Sequence, residues 1–95
     1  MTDETAIARE RIDRLAGLAR DAVRDGHPDR ARAYVRRARR VAERHRLRLP
    51  RQFERSTCGN CDVFLVHGVN ARSRTQSGHV VVTCECGAQS RYPYD

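Results

Sequence analysis

The stretch TCECGAQSRYPY, Thr83 to Tyr94, opens on two cysteines one residue apart, and it answers CGNC, Cys58 to Cys61, where two residues separate the pair. Between Cys61 and Cys84 lie 22 residues. Val-rich runs adjoin both pairs: DVFLVHGV (62–69) follows the first and HVVVTCEC (79–86) contains the second, with SRTQSG between them as a turn. Two thiolate pairs set in β-type sequence are the layout in which two knuckles share one tetrahedral Zn²⁺. Four protein ligands leave no place for water, so the expected role of Cys58, Cys61, Cys84 and Cys86 is to hold one structural Zn²⁺. The short second pair fits strand alternation, which puts Cys84 and Cys86 on one face, where two thiolates of one zinc need sit only about 3.8 Å apart. Gly87 then allows a left-handed turn. Two other assignments stay open: a redox disulfide pair, and His67 or His79 in place of one cysteine.

Outward from this unit, composition sets bounds. Aromatic residues are 5% of the 95 and Trp is absent, so one small core is available and metal or partner must add stability. No apolar run reaches the length of a membrane span, and no hydrophobic segment follows Met1, which implies a cytoplasmic chain with reduced thiols.

The first half reads as helix. Ala8, Ile12, Leu15, Ala19 and Ala22 recur in steps of four and three, defining a helix over about 5–25, with Thr2, Asp3 and Glu4 suited to its N-terminus. DGHPD (25–29) ends it, Gly26 being free to turn left-handed and Pro28 unable to continue. A second helix spans about 29–46, with Ala31, Tyr34, Val35, Ala38, Val41, Ala42 and His45 on an arc of roughly 120°. The short link makes the pair an antiparallel hairpin. The expected fold is therefore α+β: a helical hairpin in residues 1–50 and a small antiparallel zinc ribbon in 51–95. Two helices alone cannot enclose their own stripes, so some apolar surface must meet the ribbon or a partner. Arg11 falls inside the first stripe, either snorkelling at its edge or meeting an acidic group on a partner.

Charge is localised. All 19 basic residues are Arg and the net charge is +7. Residues 29–48 hold nine Arg against two acids, a net of +7, while the segments before and after contribute −1 and +1. A GC-rich genome or high-salt habit would also replace Lys by Arg, but the concentration on one helix is an electrostatic footprint for nucleic acid.

CGNCDVFLVHGVNARSR (58–74), followed by HVVVTCECGAQSRYPY (79–94), resembles the zinc-ribbon protein subunits of archaeal ribonuclease P, a family shared with eukaryotic ribonuclease P and MRP. The elements that match are the first knuckle, Gly68 to Arg74, the Val run entering Cys84, Cys86-Gly87, and Arg91-Tyr92-Pro93-Tyr94. One residue is missing from the family's usual C-x₂-C-G second knuckle. The resemblance implies a non-catalytic subunit of the ribonucleoprotein that removes the 5′ leader from precursor tRNA, the RNA being the catalyst. It implies a protein partner, a small β-barrel subunit that meets the N-terminal helices, which on this chain points to Arg11, Ile12, Leu15 and Leu18.

Candidate RNA contacts follow from donor density. Arg32, Arg36, Arg37, Arg39, Arg40 and Arg44 lie on the second helix, and Asn70, Arg72 and Arg74 share one side of an extended segment. Arg91, Tyr92 and Tyr94 either grip phosphate and stack bases or pack against the ribbon. No carboxylate pair or phosphate-binding glycine loop is present, so no catalytic site is expected in the chain itself. Two other classes compete: a zinc-ribbon transcription or DNA-binding factor, and a ribosome-associated zinc protein.

Overall fold

The computed structural model describes residues 3–93. Thr2 and Tyr94, both singled out in the sequence, lie outside the described residues. Helix α1 spans Glu4–Arg24 and α2 Pro28–Arg44, followed by a short α3, Arg51–Arg55. Three strands, β1 Ala71–Gln76, β2 His79–Cys84 and β3 Gln89–Pro93, form an antiparallel sheet in the order β1-β2-β3. The α+β architecture of hairpin and ribbon is therefore present.

Capping explains the hairpin. Asp3 accepts the Thr5 N–H at 2.9 Å and opens α1. At its end Gly26 takes φ 81°, with Gly26 N–H on the Val23 carbonyl and His27 N–H on the Ala22 carbonyl, a Schellman closure. Helix α2 closes the same way through Glu43 and Ala42, but its left-handed residue is Arg46, at φ 54°.

The helices meet through small residues. Ala8, Ala19, Ala22, Ala31, Ala38 and Ala42 are all buried, beside Ile12, Leu15, Val23, Val35 and Val41. This core continues without a break into Phe53, Val63, Leu65, Val66 and Val82 of the second half. The apolar stripes of the two helices are thus covered by one another and by the segment after Pro50.

The β half differs from expectation. The run 62–69 is no strand: it carries only isolated bridges, Thr57 with Phe64 and His67 with Ala71, while Val63, Leu65 and Val66 insert into the core. Burial on both sides of a connector produces the same Val-rich texture as a strand. Most of the expected turn SRTQSG is instead part of β1, and only Ser77 and Gly78 turn, both with positive φ, in a two-residue hairpin loop. RYP, in the chain's closing segment, is strand β3.

Candidate metal centre and nucleic-acid interface

The two knuckles are built alike despite their different lengths. In the first, Cys58 N–H bonds the Val63 carbonyl and Asp62 N–H returns to the Cys58 carbonyl. In the second, Cys84 N–H bonds the Ala88 carbonyl and Gly87 N–H returns to the Cys84 carbonyl. The turn residue is left-handed in both, Asp62 at φ 67° and Gly87 at φ 96°. One residue fewer is accommodated by a tighter turn with the same closing bonds. Strand alternation is therefore not the reason the short spacing works: β2 stops at Cys84, and Cys86 lies in the turn.

All four Sγ atoms lie within 4.8 Å of one another. Cys58 Sγ is 3.6 Å from Cys86 Sγ, and Cys61 Sγ is 3.7 Å from Cys84 Sγ. These spacings match the edge of a tetrahedron with bonds of about 2.3 Å, the geometry of a tetrathiolate zinc. Backbone N–H groups of Asn60 and Cys61 point at Cys58 Sγ, each at 3.4 Å, and the Asn60 amide reaches Cys86 Sγ at 3.6 Å. Burial pushes the Cys84 thiol up to about 12 and raises Cys58 as well. At the exposed rim, the Ala88 N–H and the Asn60 amide pull Cys86 down to about 6. A cation at the centre is what would let all four ionise together, so the donor set fits a metal ion. His67 bonds Ser73 and His79 bonds the Ser77 carbonyl, so neither histidine joins the cluster.

The arginines of α2 divide into two stripes roughly 120° apart round the helix. Arg32, Arg36 and Arg39 face the first knuckle. Arg32 Nε donates to the Cys61 carbonyl at 3.0 Å and its Nη1 to Asp29 at 2.8 Å. Arg36 Nε donates to Asp62 at 2.9 Å, and Arg39 donates to the other Asp62 oxygen and to Thr57 Oγ1. Arg36, with Arg39 beside it, holds the Asp62 carboxyl below the usual carboxylate range despite its partial burial. These three side chains fasten the helix to the knuckle. Arg37, Arg40 and Arg44 form the other stripe, exposed and without a carboxylate partner among the described residues.

Asn70 is not a surface donor. It is buried, accepts the Val66 N–H at 2.7 Å and donates to the Phe64 carbonyl at 2.9 Å, pinning the connector. Arg72, Arg74 and Arg91 are exposed on the sheet. Tyr92 is half-buried against the core and carries the Arg55 guanidinium 4.9 Å from its ring centre, which is the packing role. On α1, Ile12 and Leu15 are 1% and 7% exposed, so they cannot face a partner; Arg11 and Leu18 are exposed, and Ile7 joins them at 45%. Asp62, Asn60 and Thr57 were not evident from sequence. The available signal for Asp62 was a lone acid directly after the first cysteine pair, in a chain whose second helix is saturated with Arg.

Residues 11–87 match the family described as RNAse P Rpr2/Rpp21/SNM1 subunit domain. The chain is 66% identical over 89 residues to ribonuclease P protein component 4 of Halobacterium salinarum, covering 94% of this chain and 96% of that one. It is similar at TM-score 0.90 and 44% identity to a chain in the cryo-EM structure of archaeal ribonuclease P with mature tRNA, over 98% of this chain and 81% of that one. Against the solved Pfu Rpp21 structure the TM-score is 0.64 at 43% identity, covering 90% and 97%. With knuckles, hairpin and sheet matched over nearly its whole length, the chain belongs to the Rpr2/Rpp21/SNM1 family of ribonuclease P subunits.

Proposed function

We propose that this chain is a non-catalytic protein subunit of an archaeal, cytoplasmic ribonuclease P. In that role it supports RNA-catalysed removal of the 5′ leader from precursor tRNA by binding the RNA subunit together with a small β-barrel protein subunit. The observation that carries the reading is the whole-chain likeness to a protein of archaeal ribonuclease P solved with mature tRNA. The exposed Arg37, Arg40 and Arg44 stripe, without a carboxylate partner among the described residues, supports it, because phosphate contact needs accessible, uncompensated guanidinium groups. Within the 1–50 hairpin, Arg11 and Leu18 on α1 face the protein partner and the α2 stripe faces RNA. The 51–95 ribbon holds one structural Zn²⁺ on Cys58, Cys61, Cys84 and Cys86. The metal supplies cross-linking, not reaction chemistry, and the chain's own Arg32, Arg36 and Arg39 transmit that rigidity to the basic helix.

Reconstitution tests the reading. Added with its β-barrel partner to ribonuclease P RNA at low Mg²⁺, the chain raises the rate of precursor-tRNA cleavage. No gain on adding the pair overturns it.

A further inference from the structure

The thiols of the cluster are not equally placed. Cys58 and Cys84 are 3% and 5% exposed and Cys61 is half-buried, whereas Cys86 stands open to solvent at the rim. A cleft of 420 Å³ beside the turn between α1 and α2, walled by Val23, Pro28 and Val69, opens onto Cys61, Cys84 and Cys86. A small reactant thus has a way in beside the cluster, and Cys86 is the thiol it meets first.

The two knuckles are also fastened unequally. Arg32 holds the Cys61 carbonyl, and Arg36 and Arg39 hold Asp62, so α2 grips the first knuckle at two successive residues. Among the described residues, no α2 side chain bonds the second knuckle. That knuckle is held from outside its own turn by the Glu85 N–H on the Asn70 carbonyl, at 2.8 Å. Cys86 lies past the end of β2, in a turn where Gly87 takes φ 96°. Its Sγ meets the Asn60 amide at 3.6 Å and Cys58 Sγ at 3.6 Å. Of the cluster's thiols, Cys86 therefore leaves its place at least cost to the fold, and a second thiol already stands beside it.

We infer that Cys86 is a modification site for peroxides, with Cys58 as its resolving thiol, so that oxidation at the rim opens the metal centre. This inference rests on the reading of the cluster as one Zn²⁺ site. The Cys86 thiolate attacks one oxygen of hydrogen peroxide: an S–O bond forms, the O–O bond breaks, and hydroxide leaves and is protonated to water. The Cys58 thiolate then attacks the sulfenic sulfur: an S–S bond forms, the S–O bond breaks, and a second hydroxide leaves and is protonated. Two electrons pass from two thiolates to one peroxide, and two protons are consumed. Cys61 and Cys84 remain, too few ligands for a structural Zn²⁺.

The test uses the full zinc-loaded chain, its metal content measured first. With N-ethylmaleimide added below one equivalent, peptide mapping by mass spectrometry finds Cys86 labelled about tenfold over each other cysteine. With hydrogen peroxide, zinc release to a chromogenic chelator keeps pace with a Cys58–Cys86 disulfide in the map, and a thiol reductant with added Zn²⁺ restores the loaded chain. Cys86→His keeps a three-cysteine, one-histidine set, so it retains its zinc and slows peroxide-driven release about tenfold. Label spread evenly or concentrated on another cysteine overturns the proposal. So does a disulfide that omits Cys86 or joins it to a cysteine other than Cys58. Both measurements use the unaltered chain and decide the matter even if the variant fails to fold. Release from a zinc-loaded Cys86→His chain at the wild-type rate also overturns it. A chain that holds one zinc and gives any of these results sinks this inference alone, whereas a chain that holds none sinks the zinc reading with it.

Discussion

Two polar residues organise the junction, and their environments separate structural from RNA-facing roles. Asn70 satisfies one buried N–H and one carbonyl of the connector. Asn70→Ala leaves both without a partner and lowers stability by roughly 2–4 kcal/mol in thermal or urea unfolding, while the salt dependence of RNA binding stays unchanged. Asp62 binds Arg36 and Arg39 from a left-handed backbone position that Asp and Asn tolerate better than most residues. Asp62→Asn keeps the backbone and removes the charge. Its cost is about 1 kcal/mol at low salt and shrinks in 1 M KCl, where a largely screened pair contributes little. From sequence, Asn70 looked like a neighbour of Arg72 and Arg74. The bulge-like loop before β1 turns it inward, and a three-residue pattern cannot report that.

At the level of elements, the helices were legible to within a residue or two, because α1 and α2 bury one stripe each and a 3.6-residue period records burial directly. The strands were less so. β1 is ARSRTQ, with no apolar residue after Ala71, and it holds its place through backbone pairing with β2. DVFLVHGV is apolar and is not a strand, since its side chains fill the space between hairpin and sheet. Hydrophobic pattern reports burial and is silent on which backbone is paired. The cysteine spacing, in contrast, picked out the four thiols that the structure gathers within 4.8 Å of one another, because thiol pairs carry their meaning in composition as well as geometry. One zinc per chain is expected, and Cys84→Ser abolishes it. Chelation removes amide protection from β1–β3 first and leaves α1 and α2 protected, as followed by hydrogen exchange. Simultaneous loss in both halves would show that the metal supports the hairpin as much as the ribbon.

Across the whole molecule, a single core joins hairpin to ribbon, within a body only 17 Å thick along its shortest axis and 48 Å along its longest. So flat a shape leaves both broad faces open to large partners. On α1 the apolar positions sort by depth: Ile12 is enclosed, whereas Leu18 and Ile7 are 41% and 45% exposed on one line of the helix. Ile12→Ala therefore costs about 2–5 kcal/mol of folding stability. Leu18→Ser changes stability by about 0.5 kcal/mol or less and instead weakens association with the proposed β-barrel subunit, measured by titration calorimetry.

The alanine seam between α1 and α2 also has a thermal consequence. Six of its buried residues bring one methyl group each, so unfolding the hairpin exposes less apolar surface than a leucine-rich pair of equal length. The heat-capacity increment of unfolding scales with that exposed area, and a small increment flattens the curve of stability against temperature. Such a hairpin gains little at its optimum and loses little away from it, holding its shape over a wide thermal range.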